Sequence, residues 1–124
     1  MNFFNRPLDH VNIKVKNIDE ALEFYTKTLG FKLVGHFQSV NELFFVSDGF
    51  VTYELVQNSD ASDSSFTHVA YTSTDIEADF AYFKNLGLTV KDEISHSPKI
   101  FENGAKLFFI KGPGGESIEF MQRL

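Results

Sequence analysis

Two histidines and two glutamates define the chemistry this chain can reach. His10 alternates with Val11 and Ile13, and His68 alternates with Val69 and Tyr71. Glu54 lies between Tyr53 and Leu55, and Glu119 between Ile118 and Phe120. Successive side chains of a strand point to opposite faces. If the apolar neighbours pack on helices, all four polar groups point to the other sheet face. Two imidazoles and two carboxylates are a common ligand set for a divalent metal, and Ni, Co, Zn, Mn and Fe all suit it. The two carboxylates also neutralise a dication. A single strand histidine is ordinarily structural and a single strand glutamate is ordinarily solvated, so the reading rests on their paired placement. His36 and His96 have no such partner and read as ordinary residues, His96 in a loop.

The pairing comes from an internal repeat. At a shift of 58, His10 falls on His68, Val11 on Val69, Asn17 on Asp75 and Ile18 on Ile76. Phe24-Tyr25 falls on Tyr82-Phe83 at the same shift, and one deletion later Leu29-Gly30-Phe31 matches Leu86-Gly87-Leu88. At a shift of 65, Phe44-Phe45 meets Phe109-Ile110, Glu54 meets Glu119 and Gln57 meets Gln122.

Each half then reads as βαβββ. Leu8 to Val15 alternates as a half-buried strand. Asn17 with Glu20 resembles a capping box, Ile18, Leu22, Tyr25 and Leu29 keep helical spacing, and Gly30 sits where a glycine stops a helix. Strands are expected over about 31–37, 42–46 and 50–57, with Asp48-Gly49 as a hairpin turn. In the second half a strand over 66–73 precedes a capping box of Thr74 and Glu77. Ile76, Phe80 and Phe83 form the apolar stripe of a helix ending at Gly87. Strands follow near 89–94, 106–111 and 117–122, with Gly112 to Gly115 as a turn. The expected organisation is one domain, 1–124, of two modules (about 8–57 and 66–122) joined by a short polar linker, 58–65. Neither module can bury its sheet alone, so the two should associate.

The chain has 124 residues and a mass of 14.1 kDa, the size of one ordinary domain. Area scaling gives about 6,700 Å² folded against roughly 20,000 Å² unfolded, enough to bury a core without staples. The absence of cysteine excludes disulfides, thiolate zinc sites, iron–sulfur clusters and a cysteine nucleophile. Eleven Lys and Arg against 17 Asp and Glu leave a net charge of −6, and the basic residues are scattered, so no nucleic-acid footprint is expected. The longest aliphatic–aromatic runs, Leu43–Val46 and Leu107–Ile110, are far too short to span a membrane. Met1 to Pro7 lacks the apolar stretch of a signal peptide, so a soluble cytoplasmic protein is expected. Fifteen Phe and four Tyr promise a dense core or an apolar cleft, and composition does not choose between them.

The segments LDHVNIKVKNIDEALEFYTKTLGF, VTYELVQN, FTHVAYTSTDIEADFAYFKNLG and GPGGESIEF resemble the vicinal oxygen chelate superfamily. That group includes glyoxalase I, fosfomycin-resistance proteins, extradiol dioxygenases, methylmalonyl-CoA epimerase and bleomycin-resistance proteins. The resemblance runs from Leu8 to Gln122 and implies an α+β fold in which paired βαβββ modules form a cupped mixed sheet around a metal. It maps the metal positions onto His10, Glu54, His68 and Glu119, all occupied by the residue types of glyoxalase I (lactoylglutathione lyase). The full set favours a divalent-metal-dependent lyase or isomerase. Such an enzyme acts on a small carbonyl or thiol-hemithioacetal compound through a metal-stabilised enediolate. Glu119 is then the first candidate for the catalytic base and Glu54 its counterpart. Lys14 and Asn58, each four residues past a ligand, match positions that contact the thiol substrate in glyoxalase I. Lys14 stands where an arginine is usual, and SDSSFT replaces a glycine-rich approach to His68, which widens the substrate to other thiol adducts or small carbonyl and carboxylate compounds. The resemblance also implies a homodimer with shared sites. The alternatives are a non-catalytic small-molecule binding or resistance protein of the same fold, or a fosfomycin-type thiol transferase.

Overall fold

The computed structural model describes residues 3–60 and 65–124, excepting the side chains of residues 65 and 66. Residues 61–64, in the expected linker and in the polar stretch ahead of His68, lie outside the described residues, as do residues 1 and 2. The chain divides into two compact units, His10–Thr67 and His68–Leu124, the latter including Met1–Asp9.

The first unit contains β1 (Leu8–Val15, apart from its first two residues), α1 (Ile18–Glu23), β2 (Lys32–Gln38), β3 (Glu42–Ser47) and β4 (Thr52–Gln57). Its strands lie in the order β2-β3-β4-β1, with β1 and β4 parallel. The second unit repeats the plan with β5 (Ser65–Thr72, apart from its first three residues), α2 (Ile76–Asn85), β6 (Ser95–Ser97), β7 (Ala105–Lys111) and β8 (Ser117–Arg123). Its order is β5-β8-β7-β6, with β5 and β8 parallel. This is the expected α+β architecture. No helix among the described residues is long and apolar enough to cross a membrane.

Alternation sorts the faces as expected. In the first unit Ile13, Val15, Val46 and Leu55 form a buried cluster packed by Ile18, Leu22 and Tyr25 of the helical segment. In the second unit Phe108, Ile110 and Phe120 pack on Ile76 and Phe83 of α2. Phe120, 1% exposed, stacks on Phe108 with ring centroids 5.1 Å apart. The even-numbered β1 residues His10 and Asn12, and the glutamates of β4 and β8, therefore occupy the sheet face away from the helix of their own unit.

The helices are tied to their sheets by a device that recurs in both units. Asn17 caps α1 by accepting from the Glu20 N–H, while the side-chain oxygen of Gln57 accepts from the Ile18 N–H at 3.0 Å. In the second unit Gln122 accepts from the Ile76 N–H at 2.9 Å. The Gln57–Gln122 match in the repeat thus has a physical cause. Each glutamine satisfies an orphan donor at the first turn of its unit's helix and fixes that helix to the end of the last strand.

Several local expectations are corrected. The cap of α2 is Asp75, which accepts from Ala78 N–H at 3.1 Å, rather than Thr74. Residues 89–94 make only one bridge, Thr89 to Ile110, and the strand runs over Ser95–Ser97, so His96 is a strand residue opposite Lys106. The helix after Ile18 does not keep α geometry to Leu29 but relaxes into a π-helical stretch, Phe24–Thr28. β4 starts at Thr52, because Asp48 accepts from the N–H groups of Phe50 and Val51 and holds them in the turn, leaving Phe50 fully exposed.

The repeat register also changes by one residue. Phe45 pairs with Glu54 and Phe109 pairs with Glu119, so β3 and β7 correspond at a shift of 64 rather than 65. At that shift Leu43-Phe44-Phe45-Val46 lies over Leu107-Phe108-Phe109-Ile110. The extra residue belongs to the β7–β8 turn. A one-residue slip exchanges the two faces of a strand, so the correction decides which phenylalanine faces the histidine.

Two outcomes follow for stability. Gln122→Ala should lower the unfolding free energy by about 1 kcal/mol in urea denaturation, the usual value of a lost helix-end hydrogen bond. Burial, with Tyr53 beside it, raises the Tyr25 phenol above its usual 10. The folded chain keeps Tyr25 neutral where the unfolded chain has ionised it, so this contribution is whole below about pH 10 and lost as pH rises through the folded value. Tyr25→Phe should flatten the alkaline loss of stability, measured by urea midpoints at neutral pH and above pH 10.

Candidate metal centre

The parallel pairing of the first and last strand of each unit sets where the polar groups meet. Asn12 lies opposite Glu54, and Ala70 lies opposite Glu119. In both units the histidine is two residues before that partner, on the same face. The result is the same pair twice. His10 Nε2 is 3.6 Å from Glu54 Oε1, and His68 Nε2 is 3.5 Å from Glu119 Oε1. His10 is wholly buried, with Glu54 and Glu119 at 7% and 4% exposure.

These separations are longer than a good N–H···O hydrogen bond of about 2.7–3.2 Å. They are close to the roughly 3.4 Å between two ligands that each lie about 2.1 Å from one tetrahedral ion. His10, Glu54 and His68 offer nitrogen and oxygen donors of the types a divalent ion takes. The spacing and the donor chemistry of each pair therefore fit a divalent ion, and His10 with Glu54 forms a possible His/Glu metal site.

Each imidazole is braced by an aromatic ring. Phe45 meets His10 edge-on at 5.6 Å, and Phe109 meets His68 edge-on at 5.1 Å. These are the residues brought into correspondence by the corrected register, and sequence reading assigned them only to core or cleft wall. The alignment of the two four-residue apolar runs was the signal that identifies them.

Asn12 is a further residue that sequence reading passed over. Its amide nitrogen donates to Glu54 Oε1 at 2.6 Å, and its carbonyl oxygen accepts from the Thr67 hydroxyl. Because a carboxylate can only accept, the NH₂ group must face Glu54, which leaves the amide oxygen to accept from the hydroxyl and fixes the amide's orientation. Asn12 is 4% exposed, so this bond forms in a dry setting. Its counterpart in the second unit is Ala70, which offers no side-chain donor to Glu119.

The remaining candidates are members of neither pair. Lys14 is exposed. Asn58 is half-buried, its N–H donating to Val15 O at 2.7 Å and its side-chain oxygen accepting from Asp60 N–H. His36 is exposed, stacked on Phe44 at 4.1 Å and 2.9 Å from Glu42, a surface contact as expected.

With this geometry in hand, comparison with known proteins gives the family. The model of the Glyoxalase/Bleomycin resistance protein/Dioxygenase superfamily matches residues 7–120, and the chain belongs to that superfamily. It is 34% identical over 126 residues to the protein YwbC of Bacillus subtilis, covering 94% of this chain and 97% of YwbC, which is itself described as uncharacterized. Among solved structures it resembles methylmalonyl-CoA epimerase from Mycobacterium tuberculosis with a TM-score of 0.82 at 19% identity, covering 100% of this chain and 93% of the epimerase. It resembles the hypothetical protein BH1468 from Bacillus halodurans with a TM-score of 0.79 at 24% identity, covering 97% and 96%. These structural likenesses establish the fold.

Asn12→Ala should cost roughly 2 kcal/mol in chemical denaturation, since it strips a buried carboxylate of a charge-assisted hydrogen bond. The effect should exceed that of Thr67→Val, which removes only the outer link.

Proposed function

We propose that this protein is a divalent-metal-dependent isomerase or lyase of the glyoxalase I kind, acting on a small carbonyl or thiol-hemithioacetal compound. The observation that carries this reading is the repetition of one His–Glu spacing, 3.6 and 3.5 Å, at register-equivalent positions of two βαβββ units. In this reading His10, Glu54, His68 and Glu119 serve one ion, and the two units act as a single domain. The chain works as a homodimer with shared sites. The ion, when bound, supplies Lewis-acid stabilisation of charge on the substrate oxygens.

Glu119 takes a proton from one carbon and returns it to the adjacent carbon. Glu54 is the fixed counterpart, because Asn12 holds its carboxylate. Lys14 and Asn58 contact the polar part of the substrate. A second reading draws on the likeness to methylmalonyl-CoA epimerase across the whole chain. It keeps proton removal next to a carbonyl, returns a proton to the opposite face of the same carbon, and replaces the hemithioacetal with an acyl thioester.

Protein purified without an affinity tag should carry a tightly held divalent ion, removable by chelator and seen by elemental analysis. Turnover of methylglyoxal–thiol adducts should vanish with the ion and return on reloading. Glu119→Gln should lower turnover by roughly 10²–10⁴-fold, the span of a lost general base, and weaken binding of added ion. Absence of tight metal together with unchanged binding of added ion in Glu119→Gln would sink the metal claim. Chelator-resistant ligand binding without turnover would leave a binding protein. Exchange of the α-proton of methylmalonyl-CoA, assayed in parallel, separates the two substrate readings.

A further inference from the structure

We infer that the second unit carries its own pocket for the anionic end of the substrate, and that the ligand is a small, largely apolar monocarboxylate. This deepens the proposed function and rests on it for the identity of the reacting site, although the pocket itself is defined without the metal.

A cavity of about 400 Å³, within the usual range for small-molecule sites, lies against β7. It is lined on this strand by Leu107, Phe108, Phe109 and Lys111. Leu107 and Phe109 share a strand face with Lys111, and across the ladder Phe109 pairs with Glu119 and Lys111 with Ser117. Leu107, Phe109, Lys111 and Ser117 thus put most of this wall on the face that carries Glu119, while Phe108 borders it from the core made with α2. Phe109 belongs to both places, since its ring also meets His68 at 5.1 Å. A ligand lying on Phe109 would have one end towards His68 and Glu119 and the other in the cavity.

The chemistry of the far end is set by Lys91 and Lys111, with Glu93 the one acid among the lining residues. The balance is one net positive charge, in a chain whose net charge is −6. Among the described residues neither lysine is ion-paired, whereas Lys106 on the same strand is spent on Glu77 at 3.1 Å. The hydroxyl residues Ser95 and Ser117 also line the cavity and can add donors. A surplus of one cation complements a monoanion, and a phosphate dianion would leave one charge unmatched beside Glu93. The segment bearing Lys91 is held in place, because Val90 N–H donates to Phe109 O at 2.9 Å and Lys111 N–H to Leu88 O at 3.3 Å. The apolar floor then selects a short hydrocarbon or aromatic body.

The test uses the intact protein and a matched pair of unreactive probes, 3-phenylpropionate and its neutral amide. Binding is followed by calorimetry and by amide chemical shifts, with and without chelator. The carboxylate should bind about tenfold more tightly than the amide, weaken with added salt, and shift the Phe109, Lys111 and Ser117 amides. Lys91→Gln/Lys111→Gln should remove that tenfold preference and leave the amide's affinity unchanged. All of this should persist in chelator, which separates the pocket from the metal reading. Equal binding of the two probes, or a preference indifferent to both lysines, would overturn the assignment. A carboxylate preference abolished by chelator and unaffected by the lysine changes would also overturn it, by placing the anion on the ion while leaving the metal reading intact.

Discussion

The register of two parallel strand pairs governs the rest of the structure. β1 against β4 and β5 against β8 each place a glutamate opposite the residue two positions after a histidine. Parallel ladders have no tight hairpin to set their register, so it must be held by other means. The alternating apolar residues do part of this, since a one-residue slip would drive Glu54 or Glu119 into the helix-packed core. Gln57 and Gln122 do the rest, clamping the last strand of each unit to the first turn of its helix. Two residues that touch no ligand thereby decide whether an imidazole and a carboxylate can meet.

The two units are alike in plan and different in chemistry. The first spends Asn12 and Thr67 on holding Glu54. The second has Ala70 at the matching place, and a cavity bounded by Phe109 and Lys111 on the face that carries Glu119. The two carboxylates of the duplicated module therefore sit in unequal surroundings, Glu54 opposite an amide donor and Glu119 opposite an alanine.

Much of this was legible in the sequence, for stated reasons. Alternation around His10, Glu54, His68 and Glu119 assigned all four to the face away from the helices, because period-two patterning and burial are one constraint. The repeat at a shift of 58 aligned Asn17 with Asp75, and the cap of α2 follows that alignment rather than the Thr74 motif. What was not legible depended on pairing partners distant in the chain. The register of β3 and β7 turns on the length of a turn, although the matching Leu-Phe-Phe runs held the clue. Asn12 read as one more polar strand residue, because its role exists only once Glu54, 42 positions away, lies opposite. The strand at Ser95–Ser97 is too short and too polar for periodicity to show.

Burial of these pairs has a consequence for the fold itself. A carboxylate removed from water costs several kcal/mol unless it is paired and hydrogen-bonded. Glu54 and Glu119 are both nearly inaccessible, and they lie 3.6 and 3.5 Å from an imidazole nitrogen. Glu54 offsets part of this cost by accepting from Asn12 at 2.6 Å. A cation beside either carboxylate would offset more of it, converting a stability cost into binding energy. Metal affinity and fold stability would then be linked, since a ligand that binds only the folded state stabilises it by mass action. The aromatic excess noted in the composition has two places in the structure: some phenylalanines build the helix-packed cores, and Phe45 and Phe109 pack edge-on against the histidine rings.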